Sequence, residues 1–129
     1  MLLREAFNSG AGMAKTRIYH NPRCGKSRRT LMLLQEYGIT PEVIEYLKTP
    51  PTEAELSGIL DLLGCEPQEV VRTNEATFKE LGLTTSDSRS REEWVALLVQ
   101  HPILIERPIV IHGTKAVVGR PPENVLKIL

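Results

Sequence analysis

The arrangement of apolar and polar positions in the first third of the chain predicts a β-α-β unit. Residues 16–20 alternate in polarity and are rich in β-forming side chains, and residues 43–47 form a second run of this kind. Between them, apolar side chains recur at helical spacing, which predicts a helix over residues 25–37 that ends at Gly38. Two strands joined by a helix within about 30 residues favour parallel pairing through a right-handed crossover.

The middle of the chain is patterned as helices. Thr52 and Glu55 have the spacing of a capping box, and the apolar stripe that follows them predicts a helix. Pro67 is expected to open a further helix, and two more are predicted over residues 76–81 and 91–100.

The end of the chain returns to strand patterns. Residues 108–111 and 116–118 are predicted strands on either side of a turn, and residues 121–129 are predicted to form a last helix. The whole order predicts an α/β domain over residues 14–129, with a helical insert over about residues 52–100. Its strands are expected to form one mixed four-stranded sheet with helices on both faces.

The first residues of the chain do not share this patterning. Residues 1–13 lack sustained periodicity and contain the small, flexible stretch Gly10-Ala11-Gly12, and Met13 offers a second point at which translation could begin. This segment is therefore predicted to be a flexible N-terminal extension.

Composition narrows the class of protein without naming an activity. The 129 residues suffice for one domain, and 41% apolar with 25% charged residues is a globular balance. Sixteen basic side chains equal sixteen acidic ones, so no net field favours nucleic acid or an anionic membrane as a partner. The longest apolar stretches fall short of the ~18 residues of a bilayer span. Two cysteines cannot form a disulfide framework, so we expect a cytoplasmic protein.

Cys24 is the residue whose surroundings most strongly indicate a catalytic role. It follows a predicted strand and a proline turn and comes one residue before a predicted helix, where free backbone N–H groups should point towards its sulfur. The residues around it include Arg23, Lys26, Arg28 and Arg29, with His20 just upstream. A free thiol with a pKa of about 8.5 is only ~3% ionised at pH 7, and a helix start and positive neighbours both lower that pKa. The segment therefore predicts a nucleophilic thiolate.

The sequence leaves other roles open for the two cysteines. A lone cysteine is often a small buried hydrophobe, and Cys65, which continues the apolar side of a helix, is expected to be one. Ser27 stands where a second thiol would complete a C-x-x-C pair, so a dithiol cycle within this motif is excluded. We expect no metal site, because His20, His101 and His112 have no ligand spacing with either cysteine.

Arginine outnumbers lysine by ten to six. A guanidinium can donate two hydrogen bonds at once to a tetrahedral oxyanion, whereas an ammonium acts as a point charge. Arg107 and Arg120 each precede a proline, where the stiff chain could fix the side chain. Spacing alone does not select among the ten.

Several motifs in order along the chain point to one family. They are IYHNPRCGKSR at residues 18–28, YLKTPPT at 46–52, VRTN at 71–74, ELGL at 80–83, QHPILIERPIV at 100–110 and GRP at 119–121. Together they resemble the active-site segment and the later motifs of the glutaredoxin-coupled arsenate reductases. The resemblance covers about residues 16–129.

The resemblance implies a thioredoxin-like fold with a helical insert, and a set of site residues. Cys24 matches the family's nucleophile, and His20 matches the upstream histidine that helps to keep the thiol ionised. Arg72, Arg107 and Arg120 match its three oxyanion-binding arginines. The Arg107-Pro108 bond falls where thioredoxin-like folds carry a cis proline, so a cis bond is predicted there.

The resemblance also implies a reaction. The Cys24 thiolate would attack arsenate, glutathione would complete the reduction to arsenite, and glutaredoxin would clear the mixed disulfide. No tightly bound cofactor is implied, and we expect a monomer. Two other functions remain open: a glutathione-dependent thiol oxidoreductase acting on another substrate, and a redox-linked regulator that binds RNA polymerase. Ser27 counts against the regulator, because such a switch usually needs a C-x-x-C pair.

Overall fold

The computed structural model describes residues 15–129 and contains a mixed β-sheet with helices on both faces. The strands are β1 (Thr16–His20), β2 (Glu42–Glu45), β3 (Ile109–His112) and β4 (Lys115–Val118). The α-helices within the described range are α1 (Gly25–Glu36), α2 (Glu53–Leu63), α3 (Ala76–Glu80) and α4 (Arg91–Gln100). Short 3-10 helices span Pro67–Val70, Pro102–Leu104 and Pro122–Lys127.

The sheet has the strand order β2-β1-β3-β4. β1 pairs in parallel with β2, with Ile18 opposite Val43, and it pairs antiparallel with β3, with Ile18 opposite Val110. β3 and β4 form a hairpin in which Val110 lies opposite Val117. The predicted mixed four-stranded sheet and its parallel β-α-β unit are confirmed.

A hydrophobic core lies on each side of the sheet. Ile18 and Val110 belong to the smaller core, where they pack with Leu34 of α1 and Val125 near the C-terminus. The larger core packs α2 and α4 against the sheet and buries Trp94 completely. Burial of a side chain of that size contributes at least about 2 kcal/mol. The two cores therefore hold β1 between layers of helices and fix the position of its carboxyl end.

Three elements differ from their predicted form. β2 ends at Glu45, two residues early, because the backbone N–H groups of Lys48 and Thr49 turn back onto the Glu45 carbonyl. The segments that begin near Pro67 and Pro121 are 3-10 helices of four and six residues rather than α-helices. A proline at the start of so short a segment removes a donor, and few i→i−4 hydrogen bonds can form.

The starts of two core helices follow capping chemistry. The Thr52 hydroxyl accepts a hydrogen bond from the Glu55 backbone N–H at 3.1 Å, and the Glu55 carboxylate accepts one from the Thr52 N–H at 2.8 Å. α4 begins in the same way with Ser90 and Glu93. The predicted capping box of α2 is confirmed.

The predicted N-terminal extension, residues 1–13, lies outside the described residues. α2, α3 and α4 come between β2 and β3 in the chain, which is where the helical insert over about residues 52–100 is expected. The boundaries of the domain and of the insert stay predictions.

Gly119 follows β4 at a point of close contact with α1. A Cβ atom there would stand 2.7 Å from the Thr30 hydroxyl oxygen and 2.9 Å from Cγ of Pro108. Thr30 is buried and donates to the Lys26 carbonyl at 2.8 Å, so it has little freedom to move. We expect Gly119→Ala to lower the free energy of unfolding by about 1–3 kcal/mol, which urea denaturation measures.

Gly58→Ala is the matched control for this prediction. Gly58 is exposed within α2, and a Cβ atom there would have open space within 4 Å. Alanine inside a helix should stabilise the protein by about 0.5–1 kcal/mol relative to glycine. Equal stabilities of the two variants would contradict the close contact at Gly119.

Candidate active site

Cys24 is the N-cap residue of α1 and has extended backbone. Asn21 makes the turn that leads from β1 to this position. Its side-chain oxygen accepts from the Arg23 backbone N–H at 3.0 Å, and its carbonyl accepts from the Cys24 N–H at 3.0 Å. The turn delivers the thiol to the start of a helix, where backbone N–H groups have no acceptor within the helix.

The pKa of the Cys24 thiol is lower than the ordinary value of a cysteine. Burial is the largest single influence and acts in the opposite direction, because it disfavours the charged form. Interactions of the sulfur with the backbone of Ser27 and Lys26 and with the Arg107 guanidinium lower the pKa, and the Arg107 charge adds to their effect. These groups outweigh burial and favour the thiolate.

The basic side chains that neighbour Cys24 in sequence do not lower its pKa in the way that the sequence predicts. All four are exposed, namely Arg23, Lys26, Arg28 and Arg29. Among the described residues, the cation that lowers the thiol pKa is the distant Arg107. Water and salt screen exposed charges. The pKa of Cys24 is therefore lowered by the backbone at the helix start and by Arg107, and not by the local cluster.

His20 lies at the end of β1 and is buried. Its Nδ1 is 2.7 Å from the Ser27 hydroxyl oxygen, which also accepts from the Asn21 backbone N–H at 3.0 Å. Burial lowers the pKa of His20, and the charge of Glu45 acts in the opposite direction. The neutral imidazole thus contacts Ser27, whose backbone lowers the pKa of the Cys24 thiol.

Three arginines from separate parts of the chain meet near the thiol. Arg72 and Arg120 line an open cleft of about 710 Å³ together with Cys24, and the Arg107 guanidinium is near enough to lower the pKa of the Cys24 thiol. Arg120 also donates to the Arg107 carbonyl at 3.4 Å. The predicted cis bond between Arg107 and Pro108 is confirmed, and the bond that follows Arg120 is also cis. The structure therefore brings together candidate site residues that are separated by as many as about 100 residues in the chain.

A short backbone bridge joins two of the segments that carry these arginines. Val71 pairs antiparallel with Ile105 outside the main sheet. The next residue on each side, Arg72 and Glu106, donates its backbone N–H across the bridge, at 2.7 and 2.8 Å respectively. The bridge fixes the register of the chain at Arg72 relative to Arg107.

Two carboxylates absent from the predicted site contact the arginines. Glu75 accepts from Arg72 Nε at 3.0 Å and lies 3.7 Å from a terminal nitrogen of Arg107. Glu106 accepts from a terminal nitrogen of Arg72 at 3.0 Å and lies 3.8 Å from Arg120 Nε. The i,i+3 spacing of Arg72 and Glu75 is a signal that could have indicated one of these pairs. No signal in the sequence indicates the contact between Glu106 and Arg72, which are far apart in the chain.

Two buried donors close to this site have no acceptor in the part of the chain that the structure describes. The Tyr46 hydroxyl and Arg107 Nε are buried and have no hydrogen-bond partner among the described residues. Burial raises the pKa of Tyr46 to about 12, and the charge of Arg107 acts in the opposite direction. The phenol is therefore protonated at neutral pH and can donate a hydrogen bond.

Cys65 is in a different environment. It is partly buried and packs against the larger core, in agreement with the expected structural thiol. Burial raises the pKa of Cys65, and the charges of Glu69 and Glu66 raise it further. The pKa values of the two cysteines are thus shifted in opposite directions.

Alkylation should distinguish the two thiols. We expect iodoacetamide at pH 7 to modify Cys24 at least about tenfold faster than Cys65, because the thiolate is the reactive form. As the pH rises, the Cys24 rate should level off first, since its pKa is lowered, while the Cys65 rate keeps rising. Mass spectrometry of timed peptide digests measures both rates. Equal rates across the pH range would contradict the opposite shifts.

Two negative findings apply to residues 15–129. No group of three or more His, Cys, Asp or Glu side chains is arranged to hold a metal ion there. No helix in that range is both long enough and apolar enough to cross a membrane.

The fold and the site define a class: a thioredoxin-like protein with one activated thiol at a helix start and a cleft lined by arginines. The chain belongs to the ArsC family, whose model matches residues 19–128.

Similar proteins span nearly the same length. Over 116 residues the chain is 49% identical to YfgD of Escherichia coli (strain K12), described as uncharacterized; the match covers 89% of this chain and 97% of YfgD. It is 46% identical over 113 residues to an arsenate reductase of Haemophilus influenzae, covering 87% of this chain and 97% of that one. The structure of an arsenate reductase from Vibrio cholerae superposes with a TM-score of 0.85 at 46% identity, covering 90% and 98% of the two chains.

Proposed function

We propose that this protein is an arsenate reductase in which the Cys24 thiolate is the nucleophile and Arg72, Arg107 and Arg120 bind the oxyanion. The observation that carries the proposal is the convergence of these guanidiniums on one sulfur whose pKa is lowered. The similarity to arsenate reductases of Haemophilus influenzae and Vibrio cholerae supports arsenate as the substrate.

The first proposed step joins the Cys24 sulfur to arsenic. Arsenate is an anion, so an approaching thiolate meets a repulsion that convergent guanidiniums offset. The Tyr46 hydroxyl and Arg107 Nε, which have no acceptor among the described residues, supply further donors for arsenate oxygens. One oxygen takes up two protons and leaves as water, and a thioester between Cys24 and As(V) remains.

The second proposed step uses an external thiol. A glutathione thiolate attacks the Cys24 sulfur and forms a mixed disulfide, while the electron pair of the S–As bond passes to arsenic, which leaves as arsenite. Glutaredoxin then removes the glutathione and regenerates the thiol. Ser27 stands in the position of a second C-x-x-C thiol and Cys65 packs against the core, and both facts support an external reductant.

In this scheme His20 supports the thiolate as a neutral partner of the Ser27 hydroxyl rather than as a positive charge. The 2.7 Å contact between the two side chains and the lowered pKa of His20 support this role. The imidazole would hold Ser27 in the orientation in which its backbone N–H faces the sulfur.

We place this reaction in the reducing cytoplasm, because its cycle consumes thiols. A monomer would suffice, since the cleft is lined by residues of one chain. Neither nucleic acid nor a membrane takes part in the proposed cycle, and it needs no tightly bound cofactor.

Turnover of arsenate coupled to NADPH oxidation tests the proposal. We expect oxidation that depends on arsenate, on glutathione and on glutaredoxin. Arg72→Ala should lower the rate by at least about a hundredfold, whereas a glutathione-dependent oxidoreductase acting on another substrate would tolerate this change. A regulator that binds RNA polymerase would show no turnover and would retain the polymerase in a pull-down. Absence of turnover by the folded wild-type protein would overturn arsenate reduction and leave the family assignment in place.

A further inference from the structure

Glu106 lies between two of the arginines that the proposed function assigns to the oxyanion. Its carboxylate accepts from a terminal nitrogen of Arg72 at 3.0 Å and lies 3.8 Å from Arg120 Nε. The three side chains are mostly buried, with exposed fractions of 20% for Arg72, 28% for Glu106 and 29% for Arg120. Charges in such a position are screened less than those at the surface.

Two of the five donors of Arg72 are occupied in this arrangement. Its Nε donates to Glu75 at 3.0 Å and one terminal nitrogen donates to Glu106 at 3.0 Å. Three guanidiniums and two carboxylates leave this cluster of five side chains with a net charge of only +1. An incoming oxyanion therefore meets a site in which the Glu106 carboxylate already accepts a hydrogen bond from Arg72 and lies beside Arg120.

Resting on the proposed function, we infer that Glu106 is a specificity-determining residue that competes with the oxyanion for Arg72 and Arg120. A divalent tetrahedral anion offers more charge and more acceptor oxygens than one carboxylate, so it can share or displace Glu106. A monovalent anion offers no such advantage and is kept out. Glu106 thereby sets a weak affinity for all anions and a preference for divalent ones.

The backbone around Glu106 is held in place by hydrogen bonds, which is compatible with a side chain that gives way to an anion. Glu106 continues directly from the backbone bridge between Val71 and Ile105, and its own N–H donates to the Val70 carbonyl at 2.8 Å. The backbone at Glu106 is thus fixed while its side chain can rotate away from Arg72. The carboxylate can yield its place without moving the segment that carries the neighbouring arginine.

Protection of Cys24 from iodoacetamide by sulfate, a divalent tetrahedral anion, and by nitrate, a monovalent one, tests the inference. We expect Glu106→Gln to bind sulfate about tenfold more tightly than wild type and to gain measurable protection by nitrate. Glu92→Gln, on the exposed face of α4, removes the same charge elsewhere and should leave both affinities within about twofold.

The direction of the change separates competition from a structural role. If Glu106 only positioned the arginines, its removal would weaken sulfate binding, and that result would overturn the inference, as would unchanged affinity. Glu106→Asp keeps the charge but withdraws the carboxylate by one methylene, and we expect an affinity between those of wild type and Glu106→Gln. Should Glu106→Gln fail to fold, an aspartate variant that binds sulfate no more tightly than wild type would likewise overturn it.

The experiment does not depend on arsenate turnover. If wild type fails to reduce arsenate but Glu106→Gln binds sulfate more tightly, the proposed substrate is wrong and the competition stands. If arsenate is reduced but the variant binds sulfate no better, the proposed function stands and the competition is wrong.

Discussion

Replacement of Cys24 by serine should reduce arsenate turnover by at least about a thousandfold. A hydroxyl at the start of α1 would be protonated at neutral pH, so the nucleophile would be lost. Even if the serine formed an ester with arsenic, the reaction would not proceed further. The release of arsenite needs a sulfur that can form a disulfide with glutathione. The NADPH-coupled assay, with protein concentration matched by absorbance, measures the loss.

Cys65→Ser is the matched control for this prediction. Cys65 packs against the larger core and has a raised pKa, so its replacement should leave turnover within about threefold while costing some stability. Retention of more than about a tenth of the activity by Cys24→Ser, or a comparable loss in Cys65→Ser, would show that the nucleophile is misassigned.

Arg107→Ala should cause the next largest loss, about a hundredfold to a thousandfold in kcat/KM. The Arg107 guanidinium lowers the pKa of the Cys24 thiol, so its removal should act on the nucleophile and on the proposed oxyanion binding together. The sign follows directly: without the guanidinium the thiol pKa rises, and less thiolate is present at pH 7. The pH profile of Cys24 alkylation should shift to higher pH, and raising the pH should recover part of the lost activity.

Two further variants sharpen this test. Arg107→Lys keeps a positive charge without the planar fork of donors, so we expect a smaller shift in the alkylation profile and a persistent loss of turnover. Arg23→Ala removes an exposed charge that adjoins Cys24 in sequence, and the profile should move little. An unchanged profile in Arg107→Ala would contradict the role assigned to that guanidinium.

The elements that could be predicted from the sequence are those whose signals are local. Periodicity indicates β1 and α4, and the Thr52–Glu55 spacing locates the start of α2, all of which the structure confirms. The 3-10 form of Pro67–Val70 could not be read in this way, because apolar spacing over four residues does not distinguish it from an α-helix. The early end of β2 depends on backbone hydrogen bonds that no side-chain pattern reports.

The candidate site was predictable to a similar extent. The activated thiol follows from the local order of strand, turn and helix, which places Cys24 among free N–H groups. The choice of Arg107 among ten arginines came from the resemblance to a family, since charge and spacing do not select it. The contact of Glu106 with Arg72 joins distant parts of the chain, so no local pattern indicates it. The position of Ser27 in the C-x-x-C pattern likewise does not indicate its contact with His20.

The small backbone bridge between Val71 and Ile105 has a mechanical consequence. Because Arg72 and Glu106 directly follow its two strands, a displacement of the helical layer should move these two residues together. Local fluctuations would then leave the distance between Arg72 and Glu106 unchanged. A displacement of the whole layer would change the geometry of the cleft. Remote substitutions that loosen this layer should therefore alter catalysis without touching the cleft.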